Sequence, residues 1–139
     1  MNVVLDTDVL VAGLRSPTGA SAELLRLARH GEIQLAVTVP LVLEYEAVAT
    51  RAEHLADAKL GEPDVLAVID VLVSVAQWVR IDYRWRPQTR DPADEMVLEA
   101  AINAGADAIV TFNRRDFGAA PVKFGIGCWL PRECLERLR

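Results

Sequence analysis

Apolar positions along this chain fall into two alternating patterns. One is a set of short runs: Val3–Asp6, Gln34–Thr38, Trp78–Ile81, Ala108–Thr111 and Val122–Phe124. Runs this short, rich in β-branched residues and bounded by polar or turn-forming ones, predict strands. The other pattern is helical. In SAELLRLARHG, residues Leu24, Leu25, Leu27 and Ala28 share one face, and Gly31 marks a stop. PLVLEYEAVATRAEHL and PDVLAVIDVLVSVA each open on a proline, which suits a first helical turn. DPADEMVLEAAINAG is the best punctuated, with Asp91 at the N-cap, Pro92 in the first turn and Gly105 at the C-terminal stop. A short last helix follows Pro131. Strands alternating with helices predict an α/β fold, a doubly wound parallel sheet of about five strands with helices on both faces.

Acidic residues interrupt this pattern where a core should be closing. In NVVLDTDVLVAGL the run Val3, Val4, Leu5 ends on Asp6 and Asp8 before apolar residues resume. An unpaired carboxylate at the edge of a core is costly to desolvate. A turn or N-cap explains Asp8 well and Asp6 less well. Glu44 and Glu46 follow on the second helix; Glu44 lies one turn from Leu41 and Val48, but periodicity does not choose between the two glutamates. Asp91, Asp94 and Glu95 open the best helix, where the macrodipole favours acids by about 0.3–1 kcal/mol each. Capping accounts for Asp91 and only partly for Asp94. Asp116, in VTFNRRDF with Thr111 and Asn113, follows the fourth predicted strand and reads singly as a turn.

Taken together, these acids would converge on one edge of a parallel sheet. Carboxylates within about 4–6 Å repel and raise one another's pKa, a cost that a divalent cation removes. Oxygen ligands alone point to Mg²⁺ or Mn²⁺ rather than zinc. His30 and His54 sit in helical surface patterns and look unrelated to the acids.

Composition narrows the reading without redirecting it. The 139 residues suit one domain over 1–139, and 52% hydrophobic content excludes bulk disorder. A net charge of −5 argues only weakly against a nucleic-acid partner, because clustered acids can coexist with a basic surface. Thirteen of the fifteen basic residues are Arg, gathered at Arg80, Arg84, Arg86 and Arg90 and again at Arg114 and Arg115. Cys128 and Cys134 read as free thiols of a reducing compartment. No signal peptide is visible, and the apolar stretch Leu35–Leu43 contains Pro40 and is too short to span a bilayer. A soluble cytoplasmic protein with no membrane association is expected.

VVLDTDVLVAGL, VPLVLEYEAVATR, DPADEMVLEAAINAGADAIVTFNRRDF and LPRECLERL together resemble the PIN domain. The resemblance is strongest to bacterial toxin components of toxin–antitoxin pairs (VapC-like). It covers essentially the whole chain in order, with only the stretch from about Ala52 to Tyr83 undistinguished. It implies a ribonuclease dependent on one or two Mg²⁺ or Mn²⁺ ions, with Asp6, Glu44, Asp94 and Asp116 as the catalytic and metal-holding quartet. It thereby selects Glu44 over Glu46. Asp8, Thr111 and Asn113 become auxiliary residues; at Asp8 family members more often carry Asn, and the extra acid could help hold a second cation. RNA would be met by Arg114 and Arg115, and by Arg84 and Arg86 within YRWRPQTR, where Tyr83 and Trp85 interleave with the cations. A cognate antitoxin and a homodimer are the implied protein partners.

Two other readings compete. One is a non-cleaving PIN-type module that binds RNA or an antitoxin. The other is a haloacid-dehalogenase-type phosphatase using Asp6 and Asp8, which the chain supports poorly: it lacks a well-placed Lys and an adjacent acidic pair after a later strand.

Overall fold

The computed structural model describes residues 1–82, 89 and 91–138. Its centre is a parallel sheet of β1 (Asn2–Leu5), β2 (Gln34–Val37), β3 (Gln77–Trp78), β4 (Ala108–Val110) and β5 (Gly127–Trp129), in the spatial order β3-β2-β1-β4-β5. Val3, Val4, Leu5, Ala36, Val37 and the whole of β4 are at most 2% exposed, so both faces of the central strands are covered. Consecutive burial of this kind is the mark of an α/β sheet with helices on each side. The chain winds outward from β1 through β2 to β3, then crosses back to β4 and β5. The winding therefore reverses between β1 and β4, where such sheets bind ligands at the carboxyl ends of their strands.

The helices follow the punctuation of the sequence at most ends. α2 (Ala20–Arg29) stops before Gly31, whose φ is 76°. α5 (Glu62–Ser74) carries its proline in the first turn. α6 (Pro92–Ala104) is capped by Asp91, which accepts from the Ala93 amide at 2.8 Å, and ends at Gly105 with φ 59°. α9 (Pro131–Arg137) opens on Pro131 as expected.

Three expectations need correction, and one helix was not anticipated. Thr7–Arg15 forms a helix, α1, although its β-branched content and Gly13 give no helical signal. Gly13 sits where α1 and α2 approach closely: a Cβ there would come within 2.5 Å of Leu25 Cδ1 and 3.3 Å of the Ser21 backbone, so a larger residue needs Leu25 to shift. The single helix expected from Pro40 to Leu55 is two, α3 (Val39–Ala49) and α4 (Ala52–Ala58). Arg51 breaks it with an extended backbone, and the Thr50 hydroxyl donates to the Glu46 carbonyl at 2.7 Å. Val122–Phe124 is not a strand: Pro121 starts a short helix, α8 (Ala120–Lys123), that leaves Val122 80% exposed. The fifth strand comes later, at Gly127–Trp129. The third strand is only Gln77–Trp78, both exposed, because the chain leaves the sheet after the Val79 amide meets the Val37 carbonyl at 2.8 Å.

Two anchors fix the end of β1. Leu5 is 2% exposed, and its carbonyl accepts from the buried Tyr45 hydroxyl of α3 at 2.5 Å. One residue on, the Asp6 amide donates to the Val110 carbonyl of β4 at 2.9 Å. Both cysteines are free, and burial pushes each thiol up to about 11. Among the described residues no helix is long and apolar enough to cross a membrane.

Candidate active site

The carboxyl ends of β1 and β4 lie side by side, and the aspartates gather around them. Asp6 follows β1 directly and is 9% exposed. Its Oδ1 accepts from the Thr7 amide at 2.8 Å, capping α1, and its Oδ2 accepts from the Thr111 hydroxyl at 2.7 Å. Burial raises the Asp6 carboxyl above its ordinary range. Hydrogen bonds from Thr111 and Thr7 pull it down, while the charges of Asp116 and Asp91 push it further up. Among the described residues no ion pair compensates it.

Asp94 projects from the first turn of α6, half-buried. Its carboxyl is pushed up to about 6, first by burial, then by the charges of Asp6, Asp91, Asp116 and Glu95. Asp91, Asp94 and Asp116 line one pocket of about 550 Å³ together with Thr89, Arg115 and Phe117. Asp116 sits on α7 (Arg114–Phe117), a single turn held to the core by Phe117, which is 1% exposed. The structure thus brings Asp6, Asp94 and Asp116 into one electrostatic field and adds Asp91. The sequence reading gave Asp91 only a capping role; three acids within the first turn of one helix were the available signal that it does more.

The remaining expected site residues fall in three places. Asp8 faces away from that pocket and toward the β4 end: its Oδ2 accepts from the Phe112 amide at 3.2 Å and from Asn113 Nδ2 at 3.0 Å. Burial and the Asp6 charge raise its carboxyl to about 7. The Asn113 amide donates in turn to Thr111 Oγ1 at 2.9 Å, so Asp8, Asn113, Thr111 and Asp6 form one hydrogen-bonded chain. Glu44 and Glu46 lie half-buried on α3 on either side of Tyr45. Glu44 does not line the pocket, and its charge is not among those that move Asp6 or Asp94. Arg115 lines the pocket, whereas Arg114 pairs with Glu133 Oε1 of α9 at 3.2 Å. Arg84 and Arg86 lie outside the described residues, as do Tyr83, Trp85 and Arg90.

Among the described residues no three acidic, His or Cys side chains stand close enough to form a ready-made metal cage. Mg²⁺ does not require one, because it keeps several waters and is commonly held through one or two carboxylates and substrate phosphates. A buried carboxylate with no cationic partner among the described residues and a pocket of repelling aspartates are the donor set such a site needs. The residues fit that mode of binding and do not fit zinc.

An open parallel sheet with acids gathered at the β1/β4 switch point defines the class of this protein: an α/β fold of the PIN type. Residues 2–115 match the PIN domain, and the chain belongs to the PIN domain family. PIN domains are generally nucleases. That membership favours the nuclease reading of Asp6 and Asp8 over the phosphatase one. The match ends one residue before Asp116, whose place in the site rests on the pocket it shares with Asp94. No curated protein matches the chain.

Proposed function

We propose that this protein is a single PIN domain over residues 1–139 that works as a Mg²⁺- or Mn²⁺-dependent endoribonuclease, the toxin of a VapC-like toxin–antitoxin pair. The observation that carries the reading is the buried Asp6 carboxylate, which shares its field with Asp91, Asp94 and Asp116 and has no ion-pair partner among the described residues. Asp6, Asp94 and Asp116 would hold the cation. Glu44 stands in this quartet by resemblance alone. A bound divalent cation supplies charge neutralisation and Lewis-acid polarisation of a phosphodiester.

The chain's own groups do the rest. Thr111 holds Asp6 Oδ2 in one orientation, so the carboxylate needs no rearrangement to act. Burial and the charges of Asp6, Asp91, Asp116 and Glu95 push the Asp94 carboxyl up to about 6, a repulsion that a cation held there would relieve. Arg115, on the pocket wall, brings a bidentate donor to phosphate where the acids would otherwise repel it. A cytoplasmic location, a homodimer and an antitoxin that inserts a cation among the aspartates belong to the same reading.

The test is hydrolysis of a mixed single-stranded RNA in Mn²⁺ or Mg²⁺, in excess chelator, and by Asp94→Asn. Cleavage that requires the cation and disappears in the variant is the expected outcome. Cation binding that survives in Asp94→Asn at wild-type strength would remove that residue from the site. A wild-type protein that binds no cation at all would overturn the reading.

A further inference from the structure

Beyond the aspartate pocket, the same strand edge carries a second cavity of about 460 Å³ whose lining includes Asp8, Arg15, His54, Phe112 and Asn113. It differs from the first in character. Phe112, directly after the β4 end, is an aromatic ring left 48% exposed. Arg15, at the last turn of α1, is an exposed cation with no hydrogen bond or ion pair among the described residues. His54 was expected on a helical surface but is half-buried in this wall, and its Nδ1 finds no hydrogen-bond partner among the described residues. Asp8 Oδ1 is likewise buried without a partner. Asn113, in the cavity's lining, holds Asp8 and is linked to Asp6 through Thr111.

An exposed aromatic face, an exposed cation at the rim and, among the described residues, unused hydrogen-bonding capacity in the wall suit the uptake of one base of a single strand. The ring stacks on any base, the cation meets the phosphate, and the polar groups meet the base edge. We propose that this cavity is a nucleobase subsite for a nucleotide flanking the scissile phosphate, with Phe112 as its stacking platform and Arg15 as its phosphate contact. The inference rests on the ribonuclease reading above and deepens it: specificity for the sequence around the cut would be decided here. The site is built by α1, α3, α4 and the residues that follow β4, so it is continuous with the strand edge that carries Asp6 and Asp8.

The full chain, with Ca²⁺ to allow binding without turnover, is titrated into a fluorescein-labelled single-stranded RNA dodecamer and followed by anisotropy. The same RNA with 5-iodouridine at each position is then irradiated, and the crosslinked peptide is mapped. The expected results are a crosslink at Phe112 and affinity lowered about tenfold by Phe112→Ala. Arg15→Ala should weaken binding and reduce the salt slope by about one phosphate contact. Val122→Ala, at an exposed site elsewhere, should leave affinity unchanged. If Phe112→Ala does not fold, Arg15→Ala and the wild-type crosslink decide. Wild-type binding with crosslinks outside the cavity, or with both variants within twofold of wild type, would overturn the subsite and leave the nuclease reading intact; a cavity kept for a peptide would behave this way. A wild type that binds no RNA would sink both.

Discussion

Thr111 shows how much one hydroxyl can decide at this site. It is fully buried at the end of β4, donates to Asp6 Oδ2 and receives the Asn113 amide. Replacing it with Val keeps the shape and removes both interactions, leaving the Asn113 amide and one Asp6 oxygen without their partner. Groups that orient a metal-holding carboxylate typically account for about 10–100-fold in metal affinity or activity. Thr111→Val is therefore expected to lower Mg²⁺ affinity by about that factor, with secondary structure unchanged by circular dichroism. Affinity within twofold of wild type would show that Asp6 needs no positioning. At this scale the sequence was informative where residue type alone carries the meaning. Asp6 stood out because an acid directly after an apolar strand has few structural uses. Asp94 and Asp116 each read singly as a first-turn acid or a turn and were drawn together only as a set, with Thr111 added by the resemblance. Asp91, Phe112 and His54 were not legible, since each has a routine alternative role as a cap, a turn residue after a strand or a surface helix residue. Only their neighbours in space give them another.

Among the elements, the close crossing of α1 and α2 is the contact most sensitive to side-chain size. Gly13 faces Leu25 Cδ1 at 2.5 Å and the Ser21 backbone carbonyl carbon at 3.3 Å from where its Cβ would be. Gly13→Val would force the helices apart, a kind of overpacking that costs roughly 1–3 kcal/mol. Because α1 is capped by Asp6 and lines the second cavity as far as Arg15, the displacement should also be felt there. A lowered urea midpoint at an unchanged slope is the expected reading; an unchanged midpoint would show that the crossing is slack. Elements were legible where caps and periodicity agreed, as in α2, α5 and α6. They were obscured where local propensity and tertiary context disagreed. α1 is β-branched and holds a glycine, yet it is helical because the Asp6 cap and burial against α2 and the sheet outweigh propensity. Val122 has a strand former's side chain but follows Pro121, which starts a helical turn instead.

For the whole molecule, the concentration of acids at one edge should make stability depend on pH. Asp8 is raised to about 7, Asp94 to about 6, and Asp6 is raised as well, in each case chiefly by burial. The folded state therefore holds protons that the unfolded chain, titrating near 4, has already released. Their contribution is complete below that range and is lost as pH rises through 6 to 7. In chelator, the melting temperature should fall by roughly 3–6 °C between pH 5 and pH 8, about 1–2 kcal/mol after allowance for solvent screening. Mg²⁺ should oppose the fall and raise the melting temperature most at the alkaline end, where no proton competes for the carboxylates. A chelated protein that grows more stable from pH 5 to pH 8 would contradict the charge arrangement described above.

The lengths of the outer strands have a consequence for how copies of this chain can meet. Edge strands are where sheets from two molecules join through main-chain hydrogen bonds. Here one edge is the two residues of β3 and the other the three of β5, against which the Arg137 guanidinium stacks on Trp129 at 4.4 Å. So little free backbone leaves almost no template for a continuous intermolecular sheet. Assembly of this protein, with itself or with another chain, is thereby directed to its helices and loops, and the strand ends that carry the aspartates stay open.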